Sequence, residues 1–213
     1  MKVKSLIAEV RRQLSDIEGL GYDDDLLIEF INDGLCFIYD LKPELFAESR
    51  ILQAQCGDVQ IIDECCDKLL SVDAISTPTG MFVDIIRQTS VKMARDFDKT
   101  PAGTGARTWS MRENVFNEFY VWPPIEKCEC VYFRITCTSP PDAVVELTDQ
   151  VPGCRNHEAL LQYIFWRAYL LETESATSVQ LAQSCFDKVY QILGINRQTD
   201  NAMRETNGRH NKS

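Results

Sequence analysis

The chain has 213 residues, of which 45% are hydrophobic, and a formal net charge of −10. This excess of carboxylates argues against a nucleic-acid-binding protein, because proteins of that class carry basic patches that neutralise phosphate. No run approaches the roughly 18 apolar residues of a membrane span and no signal peptide is visible, so we predict a soluble protein that meets no membrane.

Two helices are predicted at the start of the chain. The acidic run from Asp23 to Asp25 suits the positive end of the second helix dipole. Pro43 prevents that helix from continuing beyond about Lys42. The apolar stripe of the first helix is Val3, Leu6, Ile7, Val10 and Leu14, and that of the second is Leu27, Phe30, Ile31, Gly34, Leu35 and Ile38.

From about Arg50 to Val151 the apolar residues follow the spacing of strands, and turn-rich stretches lie at 76–80 and 101–105. A short helical piece is predicted near 91–97. The last strand alternates most clearly, with Val131, Phe133, Ile135 and Cys137 on one face. The predicted strands are 69–75, 83–86, 119–122 and 129–138, in a β-rich lobe spanning 47–151.

Helical spacing returns after Pro152. One helix carries a stripe of Ala159, Leu160, Tyr163, Ile164, Arg167, Ala168 and Leu171. The next begins at Ser175 and buries Val179, Ala182, Phe186, Val189, Tyr190 and Leu193 before Gly194 ends it. We therefore predict an α+β fold in which residues 1–46 and 152–194 form a four-helix bundle and 47–151 form an inserted antiparallel β lobe.

The last segment, residues 195–213, nearly lacks apolar side chains and cannot build a core of its own. Its four cationic side chains outnumber two carboxylates, opposite in sign to the rest of the chain. This asymmetry predicts a flexible C-terminal arm that becomes ordered on a partner. An ordinary frayed terminus is the alternative.

The nine cysteines follow neither a metal-site pattern nor a disulfide framework. Cys65 and Cys66 are adjacent, and Cys128 and Cys130 are one residue apart, so no C-x-x-C pair occurs. In a reducing cytosol scattered cysteines serve as small apolar side chains. We predict that the protein holds no metal and no cofactor, while a thiol- or metal-dependent enzyme using these four cysteines stays open as an alternative.

We find no catalytic constellation in the sequence. His157 lies near the start of the third helix, where a solvated or capping role is expected, and the glycines at 103 and 105 lack the Lys-Ser/Thr of a phosphate-binding loop. Trp109, Trp122 and Trp166 lie on different predicted elements, which favours anchors of the core or of an interface over a nucleic-acid platform. We therefore predict that the protein is not an enzyme.

Three blocks in chain order carry a resemblance to a known family. The first runs from Asp24 through Asp33 to Lys42–Phe46, the second is Phe119–Pro124, and the third runs from Leu147–Pro152 to Tyr169. Together they resemble the head-to-tail adaptors of tailed bacteriophages, also called connector or tail-completion proteins. The chain departs from that pattern in the cysteine-rich stretch 65–73 and in the arm after Gly194.

The resemblance implies a structural protein of the virion neck, assembled in the host cytoplasm. Such proteins form a ring, commonly of twelve copies, below the portal protein. The ring carries the tail or nozzle protein and lets the genome DNA pass without specific binding. A tail terminator or stopper is the alternative within the virion, although we would expect a mainly β body there.

Two groups of residues are the candidates for contacts in such a ring. The portal would bind the arm through Arg197, Asn201, Arg204 and Arg209. The tail would meet the β lobe near Trp109, Trp122, Pro123 and Pro124, whose other interpretation is a rigid structural corner.

Overall fold

The computed structural model describes residues 1–62, 66–89, 106–112, 115–127, 130–152, 157–172 and 176–195. Four α-helices and eight β-strands lie within these ranges, which confirms the α+β class. The chain forms two units, one of residues 1–45 with the chain from Pro141 onward and one of Phe46–Pro140. The predicted helical piece near 91–97 lies outside the described residues.

The first unit holds all four helices, which are α1 (Val3–Leu14), α2 (Asp24–Leu41), α3 (His157–Leu171) and α4 (Ala176–Ile192). Asp23 caps α2, because its carboxylate accepts a hydrogen bond of 2.8 Å from the Leu26 N–H. The helix ends at Leu41, before Pro43, as predicted. A 3-10 helix, Pro43–Phe46, follows. Gly194 ends the last helix with a φ of 66°, the left-handed conformation that glycine adopts without strain.

Helix α3 is central, because α1, α2 and α4 all contact it. The predicted single apolar stripe is wrong for this helix: every residue from Ala159 to Phe165 is buried, including residues off the stripe. Two predicted core positions are also wrong, since Leu171 is 58% and Val179 is 49% exposed. A central helix with three neighbours is established by these contacts, and the regular four-helix bundle stays a prediction.

The segment after Pro140 contacts the helices, although the sequence predicts it to be part of the β lobe. Asn32 of α2 exchanges two hydrogen bonds with the backbone of Val144, at 2.9 and 2.8 Å. The Val3 N–H donates to the Asp149 carbonyl at 3.0 Å. The Asp149 carbonyl thus accepts from an N–H at the start of α1 that has no partner within the helix, and the Val144 bonds hold the segment against α2. The β-rich part of the chain therefore ends before Pro141.

The second unit contains two four-stranded sheets. One has the order β1 (Ala47–Gln53), β8 (Tyr132–Thr138), β3 (Lys68–Ser76) and β4 (Phe82–Asp84). The other has the order β2 (Gly57–Ile61), β7 (Glu118–Ile125), β6 (Thr108–Ser110) and β5 (Arg87–Gln88). All pairs are antiparallel except β5 with β6, which is parallel.

The core of this unit is formed by apolar side chains from both sheets. Phe133, Ile135 and Cys137 of β8 are buried, while Tyr132, Arg134 and Thr136 are half-buried, as the alternation predicts. The alternation ends at Thr138, which is also buried. Phe119 lies at the centre, with ring centroids 5.6 Å from Phe133 and 6.5 Å from Trp109 in edge-to-face geometry.

Candidate functional site

The aromatic and proline residues proposed to face the tail lie in β6 and β7. Trp109 is only 3% exposed and packs on Phe119, so it cannot contact a partner without opening the core. Trp122 and Pro123 are half-buried, and Pro124 is exposed. Of these four residues, only Pro124 is exposed to a partner.

The two prolines lie inside β7, not at its end as the sequence suggested. The strand continues to Ile125, which pairs with Gly57 of β2. The next pair is Val59 with Tyr120, so residues 121–124 lie opposite Asp58 alone. A proline has no N–H to donate to a neighbouring strand. Because residues 121–124 lie in a register shift between β2 and β7, Pro123 and Pro124 do not need to donate to β2.

An exposed apolar segment, residues 81–85, contains β4, the last strand of the first sheet. Met81, Phe82, Val83 and Ile85 are 66%, 58%, 56% and 60% exposed. A turn at 77–80 leads into it, where the Thr77 N–H donates to the Met81 carbonyl. Both faces of this short strand are open to solvent, a pattern typical of an interaction surface and unlike that of a core strand. We call residues 81–85 the β4 edge.

The loop between α1 and α2 is held by Asp16. Its carboxylate accepts hydrogen bonds of 2.9 to 3.1 Å from the N–H groups of Leu20, Gly21 and Tyr22. The Arg11 guanidinium lies 3.3 Å from the same carboxylate. The Gly21 hydrogen bond lowers the pKa of Asp16 most, and the other two N–H groups and Arg11 act in the same direction against desolvation.

Tyr22 joins this loop to the end of α3. Its hydroxyl lies 2.9 Å from Glu172 Oε1 and 3.2 Å from the Ala168 carbonyl. Burial raises the pKa of the Tyr22 hydroxyl, and the hydrogen bond to Glu172 adds to the rise. The neutral phenol donates a hydrogen bond across the whole physiological pH range, so Tyr22 holds the loop against the end of α3.

Helix α2 carries five carboxylates and no cationic side chain. Asp24 pairs with Arg11 at 2.7 Å and Asp33 pairs with Arg167 at 2.7 Å. The other three, Asp25, Glu29 and Asp40, are exposed, and the described residues give none of them an ion-pair partner. Their spacing of 4 and 11 residues puts them on one face, which we call the α2 acidic stripe.

Two cysteines form a disulfide, which the sequence did not predict. Cys66 and Cys137 are joined across 71 residues, with their Cα atoms 5.8 Å apart. Cys66 thus pairs with a core cysteine of β8, and Cys130 is a free, exposed thiol. Cys65 and Cys128 lie outside the described residues, within which no group of metal-ligating side chains is found.

The remaining predicted sites have no catalytic geometry in the part of the chain that the structure describes. His157 Nε2 lies 3.1 Å from Glu9 Oε2 and links α3 to α1. Arg197, Asn201, Arg204 and Arg209 of the arm lie outside the described residues. None of the described helices is long and apolar enough to cross a bilayer.

Comparison with known families identifies the chain. The family model described as SU10 adaptor protein matches residues 1–210, nearly the full length. A comparison with curated proteins finds no significant match. The matched range includes all four helices and both sheets, as well as the three blocks that carry the sequence resemblance. The chain therefore belongs to the SU10 adaptor family, a family of structural head-to-tail adaptor proteins of bacteriophages.

Proposed function

We propose that the protein forms a ring below the portal, links the capsid to the tail or nozzle protein, and lines the channel through which the genome passes. The observation that carries this proposal is the family match over residues 1–210. The ring would hold twelve copies in the neck of the virion and assemble in the host cytoplasm. Its work would be mechanical, with no catalysis, no metal and no cofactor.

The charge of the chain supports a place at the channel. A net charge of −10 disfavours adsorption of DNA phosphates, so DNA can slide past without being trapped. The α2 acidic stripe is the candidate lining, because its three carboxylates lie on one helix face and are not neutralised by described cations.

Two further surfaces would join the ring to its neighbours. The arm, with Arg197, Asn201, Arg204 and Arg209, would dock on the portal, where many weak contacts add up through effective concentration. The second unit would face the tail, and Pro124 is the accessible member of its aromatic and proline group.

Native mass spectrometry of the protein mixed with portal rings from the same virus tests the proposal. We expect a discrete complex with one adaptor copy per portal subunit. The absence of a complex with portal rings that are competent for assembly would contradict the proposal.

A further inference from the structure

The sheet that contains the β4 edge has a second unpaired edge. In the order β1-β8-β3-β4, the strands β1 and β4 are at the two ends, and no other described strand pairs with either on its outer side. Backbone N–H and C=O groups along such edges are unpaired and can bind another strand. Exposed apolar side chains at 81–85 would also be removed from water by such pairing.

The strand directions suit a head-to-tail joint between copies. Each neighbouring pair in this sheet is antiparallel, and the number of strands is even. Strands β1 and β4 therefore run in opposite directions. When a second copy follows in the same orientation, its β1 is antiparallel to β4 of the first copy, like every other pair in the sheet. A joint between two different edges is heterologous and closes into a ring by rotation.

On the inner face of the sheet, which covers the core, Asp84 lies at one edge and Arg50 at the other. Arg50 Nη2 also lies 3.4 Å from Glu48 Oε2 on the same face, so the joint would bring a second carboxylate to this cation. Phe133 of β8 pairs with Leu52 on one side and with Ile75 on the other, and Ile75 pairs with Asp84. Paired residues share a face, so Asp84 lies on the face of Leu52 and of Arg50, two residues earlier in β1. The Asp84 carboxylate accepts the Ile85 N–H, and the described residues offer it no cation.

The outer face has apolar side chains at both edges. Ser76 pairs with Phe82 and with Tyr132, which in turn pairs with Gln53. Phe82 therefore shares a face with Gln53 and with Ile51, two residues earlier. Phe82 is 58% and Ile51 is 37% exposed. The turn before β4 covers part of Ile51, since a Cβ on Gly80 would lie 3.3 Å from Ile51 Cδ1.

The register within β4 lets both matches occur together. Relative to β3, Val83 is an extra residue, because Asp84 pairs with Ile75 and Phe82 with Ser76. If Asp84 lies opposite Arg50 of the next copy, the same offset places Phe82 opposite Ile51. Opposite charges then meet on one face and apolar side chains meet on the other.

We propose that neighbouring copies join by pairing β4 of one with β1 of the next, with Asp84 opposite Arg50 and Phe82 opposite Ile51. The inference rests on the proposed ring and names the contact that builds it. It makes the sheet continuous from copy to copy.

A charge reversal made in two separate chains tests this pairing. Asp84→Arg alone or Arg50→Asp alone would place like charges opposite each other at every joint, and we expect the yield of portal-bound rings to fall roughly tenfold. An equimolar mixture of the two variants can alternate around the ring, so that each joint has one Arg and one Asp. We expect the mixture to restore ring yield. Asp142→Arg, at an exposed carboxylate of the other unit, is the matched control and should leave the yield unchanged.

Native mass spectrometry of full-length chains with portal rings reads both yield and composition. Circular dichroism melting of each variant establishes that a loss of rings is not a loss of folding. Restoration in the mixture requires contact between copies, because each single variant carries side chains of the same charge at both position 50 and position 84. Normal rings from the single variants, or no restoration in the mixture, would overturn the pairing. Failure of the unsubstituted chain to bind the portal would instead contradict the proposed function.

Discussion

Single residues decide how closely the helices of the first unit approach each other. Gly34 of α2 faces α3, where a Cβ atom would lie 2.7 Å from Leu160 Cδ1 and 2.8 Å from Tyr163 Cδ1. Both neighbours are buried in the core. The sequence placed Gly34 on the apolar stripe of α2, and the contact explains why that position has no side chain.

We expect Gly34→Ala to destabilise the chain by about 1 kcal/mol, since overpacking costs roughly 1–3 kcal/mol and better helix propensity returns up to about 1 kcal/mol. Urea unfolding measures the change. Gly21→Ala is the control, because a Cβ there meets Asp16 only at 3.7 Å. Equal stability of the Gly34→Ala variant and the unsubstituted chain would show that α2 and α3 have room at this position.

Asp16 predicts a dependence of stability on pH. Its pKa is lowered by folding, so its contribution is present above the ordinary value of 3.8 and is lost as the pH falls through the lower folded value. We expect Asp16→Asn to lower Tm at pH 7. The difference in Tm between the two proteins should shrink below about pH 4. A difference that stays constant from pH 7 to pH 2 would contradict this role of the carboxylate.

At the scale of elements, strand register brings together residues that are distant in sequence. Cys137 of β8 pairs with Leu69 of β3, and Cys66 lies three residues before Leu69. Their separation of 71 residues offers no local signal, which is why cysteine spacing alone predicted apolar fillers.

We expect reduction of this disulfide to lower the free energy of unfolding by roughly 2–5 kcal/mol. Urea unfolding with and without dithiothreitol measures the change. The double variant Cys66→Ala/Cys137→Ala should lose the response to reductant. Cys185→Ala, at a free and buried thiol, should keep it. An unsubstituted chain whose stability is the same in both buffers would exclude a stabilising disulfide.

At the scale of the whole molecule, the charge distribution governs the expected behaviour toward DNA. We expect the triple variant Asp25→Lys/Glu29→Lys/Asp40→Lys to slow the passage of DNA through portal-bound rings, because cations on one helix face attract phosphate. DNA release measured over time from portal-bound particles tests this. Lys at Glu18, Asp58 and Asp142, which are exposed carboxylates elsewhere, is the matched control. Equal release rates for the two variants would remove α2 from the channel.

The arm gives a second prediction at this scale. Deletion of residues 196–213 should weaken binding to the portal at least tenfold, because the arm is the cationic part of an acidic chain. Titration of the deleted and full-length proteins onto portal rings measures the affinity. Unchanged affinity would exclude the arm as the portal contact.

Local patterns were sufficient for much of the fold. Helices α1 and α2, the end of α2 before Pro43 and the alternation of β8 were predicted correctly, because spacing and caps act within a few residues. The pattern failed at α3, where every residue from Ala159 to Phe165 is buried because the helix contacts three other helices. It also failed at β7, where a register irregularity accommodates two prolines inside a strand.

The sequence by itself determined the acidic character, the class of fold and the resemblance to phage adaptors, since these depend on composition, periodicity and ordered motifs. Only the tertiary structure decided which residues meet or stay exposed. It buried Trp109, joined Cys66 to Cys137 and left residues 81–85 uncovered. Each of these outcomes depends on strand order and register, which are set by contacts between residues far apart in the chain.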